Sequence, residues 1–222
     1  MEPHAFWQSV EDGPAPPPPY DARFPAELPD GRILWLPTRP LAGTPNALAS
    51  LILNQASFAV EETLAAHLAG LLRPHAPDLL VGLPTLGLGL ASAVARKLGH
   101  ARYVPLGTSR KFWYDETLSV PLKSVTSPGG GKRLYLDPRM LPLLDGARIA
   151  VIDDALSTGS SMKAALGLLG LQRLRPVAIG AAMLQTARWR AALDPGIPVC
   201  GVFRSPLLER RADGLWPVAE PD

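Results

Sequence analysis

An α/β domain built on a mainly parallel, twisted sheet flanked by helices is the fold class this sequence predicts, and three observations predict it. Short apolar runs such as Ile149–Ile152 and Pro176–Leu184 lack polar alternation, which suits strands covered on both faces. They alternate with stretches whose apolar residues recur at helical spacing, as Met162, Ala165, Leu166 and Leu169 do. Loops of Gly, Ser and Thr stand where a strand gives way to a helix. Right-handed crossovers between such units gather these loops at the carboxyl edge of the sheet, where open α/β sheets bind ligands.

The 222 residues allow one sizeable domain with additions, since one core organises roughly 100–200 residues. A formal charge of +2 is nearly balanced, so neither a nucleic-acid footprint nor a polybasic membrane patch is expected. No basic segment followed by an apolar one opens the chain, so a cytoplasmic location is expected. Leu79–Ala95 is uncharged for 17 residues but contains Pro84 and three glycines, which fits a strand, tight loop and helix better than a membrane span. Cys200, in the apolar run PVCGVF, is expected in the core.

In chain order, PAPPPPY makes residues 1–27 an extended proline-rich arm. The domain is expected over 28–205, with 206–222 as a tail. Gly31–Leu36 is predicted as a strand, and Thr44-Pro45 as an N-cap and first helical residue. In the apolar stretch that follows, Asn54 and Gln55 are two amides that need partners, either as caps at a helix break or toward a ligand. Asp78–Leu83 is a strand, Pro84–Gly89 a turn, and Leu90–Leu98 a helix that Gly99 stops. Arg102–Pro105 is another strand. Phe112–Arg133, with TLSVPL and SPGGGK, forms a hairpin lid. Leu134–Asp137 is its return strand, PRMLPLLDG a short bridge, and VCGVF an edge strand.

The chemistry concentrates in RIAVIDDALSTGSSM, residues 148–162. Asp153 and Asp154 end a buried strand. Hydroxyls of Ser157, Thr158, Ser160 and Ser161 then converge with the amides of a helix N-terminus on one anion, and Gly159 lets the backbone approach it. The lysine of a P-loop is missing, so a smaller phosphate ester fits better than ATP or GTP. Two adjacent carboxylates repel a phosphate unless hydroxyls or a cation intervene, which suits a ribose and Mg2+. A plain alternative is a buried acid pair followed by an ordinary capping loop. Thr85–Gly89 forms a second anion turn, and Arg110-Lys111 follows the next strand, where two cations can reach phosphate oxygens or form a solvated basic turn.

Strand, acid pair, spacer and Ser/Thr/Gly loop together resemble the phosphoribosyl pyrophosphate (PRPP) signature of type I phosphoribosyltransferases, closest in layout to the adenine and xanthine branch. The resemblance implies that fold, with a small N-terminal hood (28–60) and a flexible hairpin lid (112–133). It implies transfer of ribose 5-phosphate from PRPP to a nucleobase, a purine being expected, with release of pyrophosphate, as in nucleotide salvage. Asp153 and Asp154 correspond to the ribose-hydroxyl pair, Ser157 to Ser161 to the 5′-phosphate loop, and Thr85, Leu86 and Gly87 to the pyrophosphate loop. Arg110 and Lys111 join the two acids as catalytic and PRPP-binding residues. Mg2+ is held mainly by PRPP, with Asp153 and Asp154 its candidate ligands, and a homodimer is implied. Lys123, Lys132 or Arg133 would add charge from the lid. Phe112, Trp113 and Tyr114 would stack on a base or seal a subunit contact. The segment LILNQASF is similar to one in xanthine phosphoribosyltransferases, which makes Asn54 a base contact, and Gln185 is the second. Ser157 stands where the hypoxanthine–guanine branch has an aspartate acting near N7. Two alternatives stay open: a PRPP-sensing regulator on the same fold, for which no helix-turn-helix or basic helix is seen, and an acceptor other than a purine.

Overall fold

The structure, a computed structural model, describes residues 2–122 and 132–219. The chain opens with β1 (Arg23–Glu27), β2 (Ile33–Pro40) and β3 (Asn46–Ala49). Next come α1 (Phe58–Leu72), β4 (Leu79–Gly82), α2 (Gly87–Leu98) and β5 (Val104–Pro105). A hairpin of β6 (Ser119–Pro121) and β7 (Arg133–Tyr135) and the single turn α3 (Leu141–Leu144) precede β8 (Ile149–Leu156) and α4 (Ser160–Leu171). The chain continues through β9 (Ala178–Gln185), β10 (Val199–Ser205), β11 (Leu207–Arg211) and β12 (Gly214–Pro217).

The expected parallel sheet is present, in the order β10-β9-β8-β4-β5. Its central strands are apolar on both faces because both faces are covered, and every residue of β9 is buried. On one face α1 and α2 pack with Leu64, Leu68, Leu90 and Val94. Their approach to the sheet is close: a Cβ at Gly180 would stand 2.9 Å from Ile152 Cδ1 and 3.2 Å from Leu68 and Leu72. The other face is covered by α4 and the β6–β7 hairpin through Met162, Leu168, Leu118 and Leu134. From β4 the chain steps outward to β5 and then returns to the other side of β4 as β8. The carboxyl ends of β4 and β8 therefore flank a topological switch point, where such sheets bind ligands.

A second sheet, antiparallel in the order β1-β2-β3-β11-β12, departs from the expected proline-rich arm and tail. Residues 23–27 pair with β2, and the assigned tail supplies a hairpin that pairs with β3. Phe24, Ala26, Leu34, Leu36, Leu208 and Leu215 bury the inner face, which explains why both ends of the chain are ordered there. Tyr20 exchanges two backbone hydrogen bonds with Leu215, of 2.8 and 2.7 Å, so the far edge bends back toward the start of β1. Thr44-Pro45 starts no helix. Thr44 Oγ1 donates to Leu41 O and accepts from the Asn46 N–H, which closes the β2–β3 turn instead. The helix begins at Phe58, capped by Ser57, whose Oγ accepts the Val60 N–H at 3.2 Å. Cys200 is half-buried rather than fully in the core, its Sγ 3.6 Å from Leu71 O.

The lid expectation is met in part. β6 and β7 form an antiparallel hairpin; Lys123 and its neighbours through residue 131 lie outside the described residues. Arg133 is tied into the hairpin, its Nε and Nη2 donating to Ser119 Oγ and O at 2.8–3.1 Å. At the hairpin's base Asp137 accepts from Arg139 N, Nε and Nη2 and from Trp113 Nε1. The Arg139 guanidinium also lies 4.4 Å from the Trp113 ring centroid. These donors, Arg139 first, hold the Asp137 carboxyl down at about 2. A lowered folded value means the contact is intact above the ordinary carboxylate range and is lost as pH falls through the folded value. The Trp113 indole N–H resonance is therefore expected to titrate near pH 2 and to lose that transition in Asp137→Asn. A midpoint in the normal aspartate range would show that the network does not hold the carboxyl.

Candidate active site

β8 runs through Asp153 and Asp154 and ends at Leu156. Asp153 is buried, and its Oδ1 accepts the Asp154 N–H at 2.9 Å. Burial, with the neighbouring Asp154 carboxylate, pushes the Asp153 carboxyl well above its ordinary value. Burial raises Asp154 as well. Past Leu156 the chain turns through Ser157, Thr158 and Gly159 into α4. A cavity of about 100 Å³ is lined by Asp153 and by residues 155–162, so all five expected loop residues, Ser157 to Ser161, face one space. That is roughly the volume of three waters, and a small oxyanion fits it better than a nucleobase does.

Gly159 is required twice over. Its φ of +76° is left-handed, and a Cβ would meet Ala192 Cβ at 3.1 Å and the Trp189 carbonyl oxygen at 3.3 Å. Thr158 Oγ1 lies 3.0 Å from Ser160 Oγ, so the hydroxyls brace each other across the helix start. Nothing cationic from the described residues lines the cavity. Attraction for an anion there comes from the amides and dipole of α4.

The second anion turn is shorter than expected, because α2 starts at Gly87 rather than Leu90. Thr85 is exposed, Leu86 is half-buried, and the Pro84–Thr85 peptide is cis. A Cβ at Gly87 would stand 2.8 Å from Asp153 Cα and 2.9 Å from its Oδ1. The first turn of α2 therefore rests directly on Asp153, beside the loop that follows β8. Sequence spacing missed a further group here: Glu61 on α1 reaches over Gly89, its Oε1 2.8 Å from where a Cβ would be.

The remaining expected residues are distributed unevenly. Arg110 and Lys111 follow β5, the strand beside β4, but Arg110 pairs at 2.7 Å with Glu116, both exposed. Asn54 lies in the 3-10 turn Leu53–Gln55 against α2; its amide is exposed rather than buried and has no hydrogen-bond partner among the described residues. Gln185 is the last residue of β9, not a loop residue, and its buried Nε2 donates to Ala49 O at 2.7 Å. Its amide nitrogen is thus committed to the end of β3. Phe112 is exposed, and Trp113 and Tyr114 belong to the aromatic cluster at the hairpin's base.

Among the described residues no helix is long and apolar enough to cross a membrane. Residues 51–194 match the family described as the phosphoribosyl transferase domain. An adenine phosphoribosyltransferase of Xanthomonas oryzae pv. oryzae is 35% identical over 107 residues, which are 48% of this chain and 53% of that protein. The bifunctional protein PyrR of Pseudomonas aeruginosa is 33% identical over 109 residues, 48% of this chain and 55% of that one. The chain thus spans about half the length of the curated relatives it matches. The adenine phosphoribosyltransferase of Giardia lamblia, solved with 9-deazaadenine, superposes with a TM-score of 0.59 at 19% identity, covering 76% of this chain and 93% of that one. The enzyme of Saccharomyces cerevisiae, solved with an imino-altritol bisphosphate and adenine, gives 0.56 at 18% identity over 75% and 93%. A parallel sheet with a switch point between β4 and β8, together with a family match over residues 51–194, places this chain in the phosphoribosyl transferase domain family, with the type I phosphoribosyltransferase fold.

Proposed function

We propose that the protein transfers ribose 5-phosphate from PRPP to a purine base and releases pyrophosphate. The observation that carries this reading is the junction of Gly87 with Asp153, which sets an acid pair between two anion loops. The loop at 157–161 takes the 5′-phosphate, and Asp153 and Asp154 accept hydrogen bonds from the ribose hydroxyls. Hydroxyl donors suit this pair, because they satisfy buried carboxyls without adding negative charge. The turn Thr85–Gly87 takes the pyrophosphate. As the C1′–oxygen bond breaks, its electron pair leaves with pyrophosphate; the bond from a base nitrogen to C1′ forms, and the nitrogen's proton is lost. The protein holds the anions, orients the base and stabilises separated charge.

The described residues hold no cluster of three His, Cys, Asp or Glu that could cage a metal. Two adjacent carboxylates are the set that suits Mg2+ arriving with phosphate ligands. Asp153 and Asp154 would hold it together with PRPP oxygens, and it would neutralise charge on the departing pyrophosphate. Similarity to a bifunctional PyrR supports a second reading, a PRPP-responsive regulator with little turnover. Pyrophosphate release from PRPP and Mg2+ with a panel of adenine, hypoxanthine, guanine and xanthine tests the first reading. No release with any base, alongside tight PRPP binding, favours the second.

Asp153→Asn and Asp154→Asn are each expected to weaken PRPP binding by about 1.5–3 kcal/mol, the value of a hydrogen bond to a charged group. The raised Asp153 value means that folding stability falls as pH rises through it. At neutral pH Asp153→Asn should therefore melt no lower than wild type while binding PRPP less well. Calorimetry showing unchanged PRPP affinity in both variants would defeat the assignment. Gly159→Val should abolish affinity for ribose 5-phosphate, because its φ and its neighbours exclude a branched side chain. Retained affinity would move the phosphate elsewhere.

Ser157 cannot act as a general base at neutral pH, so Ser157→Ala should be mild. Asn54→Ala should raise KM for the accepted base by about 1–3 kcal/mol equivalent if a buried ligand group loses its partner, with PRPP affinity nearly constant. A collapse in Ser157→Ala alone, with Asn54→Ala silent for every base that turns over, would sink this base site.

A further inference from the structure

The first residues of the chain make a built connection to the turn that carries Asn54. Phe6 and Trp7 are buried, and Trp7 has a φ of +62°. A bulky side chain keeps that left-handed backbone only where its surroundings over-determine it. Here the surroundings are hydrogen bonds to both flanks of the turn. Trp7 Nε1 donates to Ser50 O at 3.1 Å, and Trp7 O accepts the Ser57 N–H at 3.0 Å. Gln8 Nε2 donates to Gln55 O and to Phe6 O, each at 2.9 Å, while Gln8 O accepts from Ser57 Oγ at 2.8 Å. That same Ser57 hydroxyl caps α1. Leu53, inside the turn, is buried in the core.

We propose that Trp7 and Gln8 are positioning residues for the acceptor base: as a strap across the turn, they fix Leu53–Gln55 against α2 so that the Asn54 amide presents to the ligand. The inference rests on the acceptor role assigned to Asn54 above. It explains why a short 3-10 turn with Asn54 and Gln55 exposed is tied from two directions, by this strap at Ser50, Gln55 and Ser57 and by Gln185 at Ala49. Past the strap the chain is held on its way to β1 by backbone bridges from Glu11 to Ile33 and from Tyr20 to Leu215.

In Gln8→Ala, KM for the purine of the panel that turns over best is expected to rise about 2- to 10-fold, the equivalent of one neutral hydrogen bond. PRPP affinity and kcat should stay unchanged. Trp7→Phe keeps an aromatic ring in the core, removes the Nε1 donor together with part of the indole, and should act in the same direction. Adding Gln8→Ala to Asn54→Ala should produce no further rise, because the strap acts through Asn54. Fully additive penalties, or an unchanged KM in both strap variants, would overturn the proposal. Amide hydrogen exchange at residues 55–57, measured without ligand, separates its two parts. Unchanged exchange in both strap variants would overturn the strap. Faster exchange in Gln8→Ala, with Asn54→Ala silent for every base, would overturn the acceptor role of Asn54 and the positioning that depends on it.

Discussion

One close approach organises the site: the first turn of α2 lies on the backbone of Asp153, at a distance only a glycine at position 87 permits. Because β4 and β8 are neighbours in register, that approach brings the loop after each strand to the same point on the sheet edge. It also sets the positive end of a helix beside two carboxyls, which offsets part of their mutual repulsion. The offset is incomplete, since burial still pushes both carboxyls up. Under the proposed function, ribose hydroxyls would satisfy such a pair without adding negative charge.

A second constraint runs between the two sheets. Gln185, buried at the end of β9, donates across to Ala49 at the end of β3. Left unpaired, such a buried amide would cost about 1–3 kcal/mol. That bond and the strap at Trp7 and Gln8 fix the segment from Ala49 to Ser57 relative to the parallel sheet. The antiparallel sheet, assembled from both ends of the chain, thus carries the turn that faces α2.

The parallel core and the loops that follow β4 and β8 were legible in the sequence because their signals are local. A branched apolar run marks a doubly covered strand, and Gly159 and Gly87 stand where backbone must come close. Of the second sheet only β2 was legible, overlapping the strand expected at Gly31–Leu36. Its β3 and β11 pair at a separation near 160 residues in the register Leu48 to Leu207, and proline within β1 suppresses the strand pattern there. The Asp213-Gly214 pair was an available hairpin signal in the segment taken as tail. Thr44 misled because the hydroxyl that caps a helix also closes a turn. The hydrogen-bond partners of Gln185 and Arg133 belong to tertiary structure that no spacing encodes.

The cations tell which charge acts first in the proposed chemistry. Arg133 is tied to Ser119, and Arg110 is paired with Glu116. No cationic side chain among the described residues lines the cavity at the start of α4, so an anion proposed there would rely on backbone amides and the helix dipole. The two commitments differ in strength. Arg133 makes three hydrogen bonds within a part-buried hairpin, whereas Arg110 and Glu116 are each more than half exposed, with side-chain exposures of 55% and 58%. An exposed pair of that kind is worth only about 0–1 kcal/mol. A doubly charged leaving group beside the α2 turn would compete for the Arg110 guanidinium with two parallel hydrogen bonds. Under the proposed function Arg110 would therefore be recruited to pyrophosphate at low cost, while Arg133 holds the hairpin together.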